Sequence, residues 1–144
     1  MKYKLTSQIK ECYGRTLHRI ECVESFSTVK VGDLGGWIES EDNLSQFGNA
    51  WVYGDAEVYG NAKVCGDAEV QSNRDYIVLQ NSWSSYRYFT YTSSNNKWRA
   101  GCFYGTGEEL IDKAYKDSKL SGKCYEASVR YIEEIERIKR SRND

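Results

Sequence analysis

His18 is the single imidazole of this 144-residue chain, and it lies between Cys12 and Cys22. A thiol beside an imidazole is the smallest pair that makes a nucleophile, because the ring can take the thiol proton. Neither cysteine opens a predicted helix, where a thiolate would be favoured. The expected reading is an exposed histidine and two half-buried thiols. Gly32 through Gly36 is glycine-rich but lacks the Lys-Ser/Thr pair of a phosphate loop, so it reads as turns. Five cysteines, at 12, 22, 65, 102 and 124, form no C-x-x-C arrangement. An odd number of unpaired thiols points to a reduced, intracellular setting. With one histidine and no ligand pair at metal spacing, zinc is not expected. The expectation is a protein without catalytic, metal or cofactor sites.

A second set of residues suits recognition. Tyr86-Arg87-Tyr88-Phe89-x-Tyr91 is followed by Trp98-Arg99. Aromatics interleaved with arginine on a sheet can stack on bases or hold an extended peptide. Strand alternation means that part of this set must face inward as core. Tyr86, Arg87, Tyr88, Trp98 and Arg99 are the binding candidates here. The run Lys139-Arg140-x-Arg142 reads as a helix end that favours cations. Formal net charge is −1, so no global field draws the chain to nucleic acid or an anionic membrane. Nucleic acid is therefore the less favoured partner.

These side chains need a scaffold, and the middle of the chain supplies a repetitive one. From Gly48 the sequence reads GNAWVY, GDAEVY, GNAKVC, GDAEVQ, four consecutive units of six. Ala and Val stand two apart and share one side of a strand. Gly followed by Asn or Asp is a turn pair, since both tolerate positive φ. Each unit is a very short strand and a bend. One unit cannot bury enough apolar surface to offset its ordering entropy, so the units must stack.

The pattern resembles the hexapeptide-repeat family, whose members form left-handed β-helices with three units per coil. That resemblance implies that residues eighteen apart stack, with Val70 over Val52, Ala56 over Ile38 and Ala62 over Leu44. It also implies a degenerate coil over about 30–47, weakest at Ser40 and Gln46. Trp51 and Tyr53 then lie on one outer face and Tyr59 on the next, while Lys63 and Cys65 take the third. Rings this large do not fit among Ala and Val. They are expected either under the flanking segments or in a contact between subunits.

The flanks read as covers for the open ends of the coil. Residues 2–26 alternate as a hairpin bending at Tyr13-Gly14-Arg15. Residues 76–79, 86–92 and 97–104 are strand candidates. Thr106-x-x-Glu109 is a capping box opening a short helix. After Ser121-Gly122 a longer helix is expected, with Tyr125, Val129, Ile132, Ile135 and Ile138 as its buried stripe. Glu133–Arg137 and Glu136–Arg140 are expected as ion pairs on its wet side. The predicted architecture is mostly β with an α+β C-terminal part. It comprises a hairpin cap over 1–29, a left-handed β-helix over 30–72, and a domain of three strands and two helices over 73–144.

The stretch GDLGGWIE at 32–39, the following NLS and the repeats resemble proteins found mainly in bacteriophages and prophages. Gly101-Cys102-Phe103-x-Gly105-Thr106 with Glu109-Leu110 resembles a domain attached to such repeats. The resemblance implies a viral accessory protein. No signal peptide or membrane span is read in the sequence. The functional expectation is a non-enzymatic, dimeric or trimeric binding protein in the cytoplasm of an infected or lysogenic bacterium. It would act on a host protein target, such as a defence factor, by occluding its surface. A relative of the hexapeptide acyltransferases is the alternative, although their chemistry needs a histidine between coils and His18 lies in the hairpin. A structural spacer of a virion or cell-surface protein is the third reading.

Overall fold

A computed structural model describes residues 1–141; Arg142 of the basic run lies outside the described residues. The chain opens with a hairpin of β1 (Tyr3–Cys12) and β2 (Arg15–Cys22), turning at Tyr13 and Gly14, both at positive φ. Next come β3 (Leu34–Ile38) and a single 3-10 turn at Glu41–Asn43. The repeats contribute β4 (Trp51–Val52), β5 (Glu57–Val58) and β6 (Glu69–Val70). The second half holds β7 (Tyr76–Gln80), β8 (Tyr88–Thr92), β9 (Lys97–Ala100) and β10 (Phe103–Thr106). Two helices, α1 (Gly107–Asp117) and α2 (Lys119–Ser141), complete the described chain. Neither is long and apolar enough to cross a membrane.

The repeats do not wind into the expected left-handed β-helix. The strands divide among three small sheets, ordered β1-β2-β3-β5, β10-β9-β8-β7 and β4-β6, and none is a solenoid. Each repeat strand is two residues long, and the unit at 60–65 contributes only an isolated bridge from Val64 to Leu44. The parallel spacings also disagree. Val52 pairs with Val70, but Ile38 pairs with Val58 and Leu44 with Val64, not with Ala56 and Ala62.

The shift arises after Leu44: Ile38 to Leu44 is six positions, as is Val58 to Val64, whereas Leu44 to Val52 is eight against six from Val64 to Val70. Ser40 and Asn43 form a capping box around the 3-10 turn. The buried Asn43 side chain accepts from Glu39 N and Ser40 N, then donates to Gly60 O and Ala62 O. Meanwhile β2 claims β3 through antiparallel pairs such as His18 with Ile38. The segment at 30–47 is thus held by the hairpin, and Leu34 at the start of β3 is 48% exposed.

The apolar positions of the repeats still make a core. Ala50, Ala56, Ala62 and Ala68 are buried with Val52, Val58, Val64 and Val70. Each valine withdrawn from water contributes roughly 1.5–3 kcal/mol. The bends rest on Gly48, Gly54, Gly60 and Gly66, all at positive φ, where a Cβ is disfavoured.

In the second half, four strands stand where three were expected, because the 97–104 segment turns at Gly101 into β9 and β10. Thr106 and Glu109 form the capping box of α1, with the Thr106 Oγ1 accepting from Glu109 N at 3.2 Å. Helix α2 starts before Ser121-Gly122, not after it, and the Tyr115 ring lies over the bare Gly122 Cα. Its inner stripe is Val129, Ile132 and Glu136, whereas Ile138 is 51% exposed. Arg137 pairs with Glu134, and the buried Glu136 with Lys139 at 2.9 Å, so the expected outer ion pairs are replaced.

The halves are joined by side chains. Lys63 N donates to Thr90 Oγ1 at 3.0 Å, the Tyr76 hydroxyl donates to Glu57 O at 2.7 Å, and Asn95 Nδ2 donates to Asp67 Oδ1 at 2.7 Å.

Candidate functional site

The thiols near His18 are committed to other partners. Cys12 donates to Glu57 Oε1 at 3.7 Å, and Cys22 donates to Glu24 O at 3.3 Å. Desolvation, together with the Glu57 carboxylate, pushes the Cys12 thiol above its ordinary pKa. Both influences oppose the thiolate that a nucleophile requires. Among the described residues, no group of three or more His, Cys, Asp or Glu could hold a metal ion.

The aromatics of the repeats are largely covered. Trp51 is 2% exposed and packs edge-on against Tyr3 at 6.2 Å and Phe26 at 5.3 Å between ring centroids. Tyr53 is half-buried, with its hydroxyl 3.4 Å from Glu69 Oε1. Tyr59 is half-buried beneath the Arg15 guanidinium, 5.6 Å from its centroid. Of the two fates open to these rings, the hairpin and its following loop take Trp51. Trp98 is also core, stacked near Tyr91 and Phe89 at 5.0 and 5.9 Å.

Tyr86, Arg87, Tyr88 and Arg99 remain, and they stand together. The loop 81–87 between β7 and β8 is closed by Asn81 N donating to Arg87 O at 2.8 Å. The buried Asn81 side chain organises it: Oδ1 accepts from Trp83 N and Ser84 N, and Nδ2 contacts the Tyr125 hydroxyl. Trp83 anchors the loop edge-on against Tyr125, 4.9 Å away, and its Nε1 donates to Ser121 Oγ. At the loop's far end Tyr86 has φ 60° and is 66% exposed. A bulky side chain in the left-handed region costs on the order of 1 kcal/mol and persists only where neighbours enforce it. The anchors are inside and the displayed groups are outside, so the loop is rigid and outward-facing.

Arg87 extends over the bare Gly101 Cα, and Arg99 Nε donates to Gly101 O at 2.6 Å. Both guanidiniums thereby converge on the turn between β9 and β10. They face the repeats across a cleft of about 270 Å³, whose opposite wall carries Lys63 and Asp42. A second cleft of about 290 Å³ shares Arg87, Tyr88 and Gly101 and reaches Lys113 and Asn81. Tyr88, 43% exposed, lines both.

Lys63 and the second cleft were outside the predicted set. Lys63 is nonetheless distinctive in sequence, as the one cation between Ala and Val in repeats that otherwise carry Trp or Glu there. What the sequence conceals is that the unit at 60–65 lies against β8.

No model of a known protein family and no curated protein matches the chain.

Proposed function

We propose that the protein works by binding, as a phage-derived accessory protein that occludes the surface of a host protein, such as a defence factor, in the bacterial cytoplasm. The observation that carries this reading is the anchored loop that holds Tyr86 in an unfavourable backbone conformation and presents Tyr86, Arg87 and Tyr88 to solvent. Tyr and Arg dominate the energetics of protein interfaces. A rigid display lowers the ordering cost of association. The phage origin rests on the resemblance of residues 32–39 and the repeats. Self-association through Trp51 and Tyr53 loses its motive, because Trp51 is consumed within the subunit.

The test is site-specific photo-crosslinking in bacterial cells. A benzophenone side chain replacing Tyr86 should yield a discrete adduct with one host protein. The same group replacing Tyr131, exposed on α2, should not. Absence of an adduct at 86, or the same adducts at both positions, rejects the reading.

A further inference from the structure

Resting on that reading, we infer that the partner presents an acidic, extended segment, which lies across Tyr88 with its carboxylates in the two clefts beside it. Three cations, Lys63, Arg87 and Arg99, line the first cleft against one carboxylate, Asp42. Arg87 is the unpaired cation of the second, where Lys113 is held by Asp117 at 3.5 Å. None of the ion pairs among the described residues involves Lys63, Arg87 or Arg99. This contrasts with α2, where Arg130 and Arg137 are each held by neighbouring carboxylates.

An arginine fork left without a carboxylate retains its bidentate donors for an external one. Arg99 is also pre-aimed, since Nε is fixed to Gly101 O and its remaining N–H groups are directed by that anchor. Each cleft has the volume of one or two side chains. The exposed aromatic Tyr88 is common to both, which suits an extended chain that passes over it from one cleft to the other. Asp42 and Asp117 interrupt the positive track. A phosphate backbone, charged at every step, would meet both of them. A peptide can place neutral residues there.

The experiment is fluorescence anisotropy of the full chain with a fluorescein-labelled glutamate–glycine repeat peptide. A glutamine–glycine peptide and oligo-dT of matching length are the comparisons. The acidic peptide should bind, the glutamine peptide should not, and affinity should fall as NaCl rises from about 50 to about 300 mM. Lys63→Glu and Arg87→Glu should each weaken it by about tenfold or more. Both side chains are exposed and make no internal hydrogen bond among the described residues, so unchanged circular dichroism verifies the fold. Lys4→Glu, the same charge change on exposed β1 surface, should leave binding within about twofold.

Equal weakening by Lys4→Glu overturns the assignment, because net charge alone would then explain it. Oligo-dT binding in place of the peptide overturns it in favour of nucleic acid. If no peptide binds while the crosslink at 86 persists, the acidic chemistry is wrong and the partner reading stands. Loss of both removes both.

Discussion

The Tyr91 hydroxyl donates to Glu136 Oε2 at 3.1 Å, tying the C-terminal part of β8 to the inner face of α2. Both residues are buried, and Lys139 approaches the other carboxylate oxygen at 2.9 Å. The link connects the helix to the same strand whose N-terminal end displays Tyr88.

Glu136 makes stability depend on acid. Burial pushes its carboxyl upward, but the hydrogen bonds and charge of Lys139 and Tyr91 outweigh burial and hold it below the ordinary value. A carboxyl with a lower pKa when folded contributes stability that is full above its unfolded pKa, near 4.5, and is lost as pH falls through the folded value. Glu136→Gln is therefore expected to be less stable than the parent at pH 7 and to lose less on acidification below about 4.5. Urea melts at both pH values measure this. Parallel losses in parent and variant would contradict it.

Trp51→Ala should cost about 3–5 kcal/mol, the range for an aromatic removed from a packed core. Its environment of Tyr3 and Phe26 belongs to one subunit. The mass measured by light scattering should therefore not change in the folded fraction. A variant of near-parental stability and reduced mass would return Trp51 to a subunit contact.

Asn43→Ala removes two acceptor and two donor contacts in a site closed to water. Leaving buried backbone groups unmet costs about 1–3 kcal/mol each, so a loss of several kcal/mol is expected. Hydrogen exchange should rise first at Glu39, Ser40 and the bridge between Leu44 and Val64. Uniform loosening across the chain would show that Asn43 does not hold these local contacts.

Tyr86→Gly should raise stability by about 0.5–1 kcal/mol, because glycine accepts φ 60° without a Cβ penalty. The same change should weaken partner capture. Thermal melts and crosslinking through a benzophenone at position 88 separate the two effects. A destabilised variant would mean that the Tyr86 ring is structural.

The sequence by itself determined the local features. Period-two spacing places the repeat Ala and Val inside, glycine followed by Asn or Asp marks the bends, and Thr106 with Glu109 opens a helix. Each depends on contacts a few residues apart. Three outcomes required the tertiary structure. The repeats did not become a uniform coil, since β2 captures β3 and two extra residues between Leu44 and Val52 shift the spacing. Trp51 was buried because residues 3 and 26 return over it. Lys63 met Arg87 and Arg99 because a bend in the repeats docks on β8. A two-residue strand contributes too little pairing energy to impose its own register. The arrangement is decided by the larger surfaces that pack around it, and those come together from distant parts of the chain.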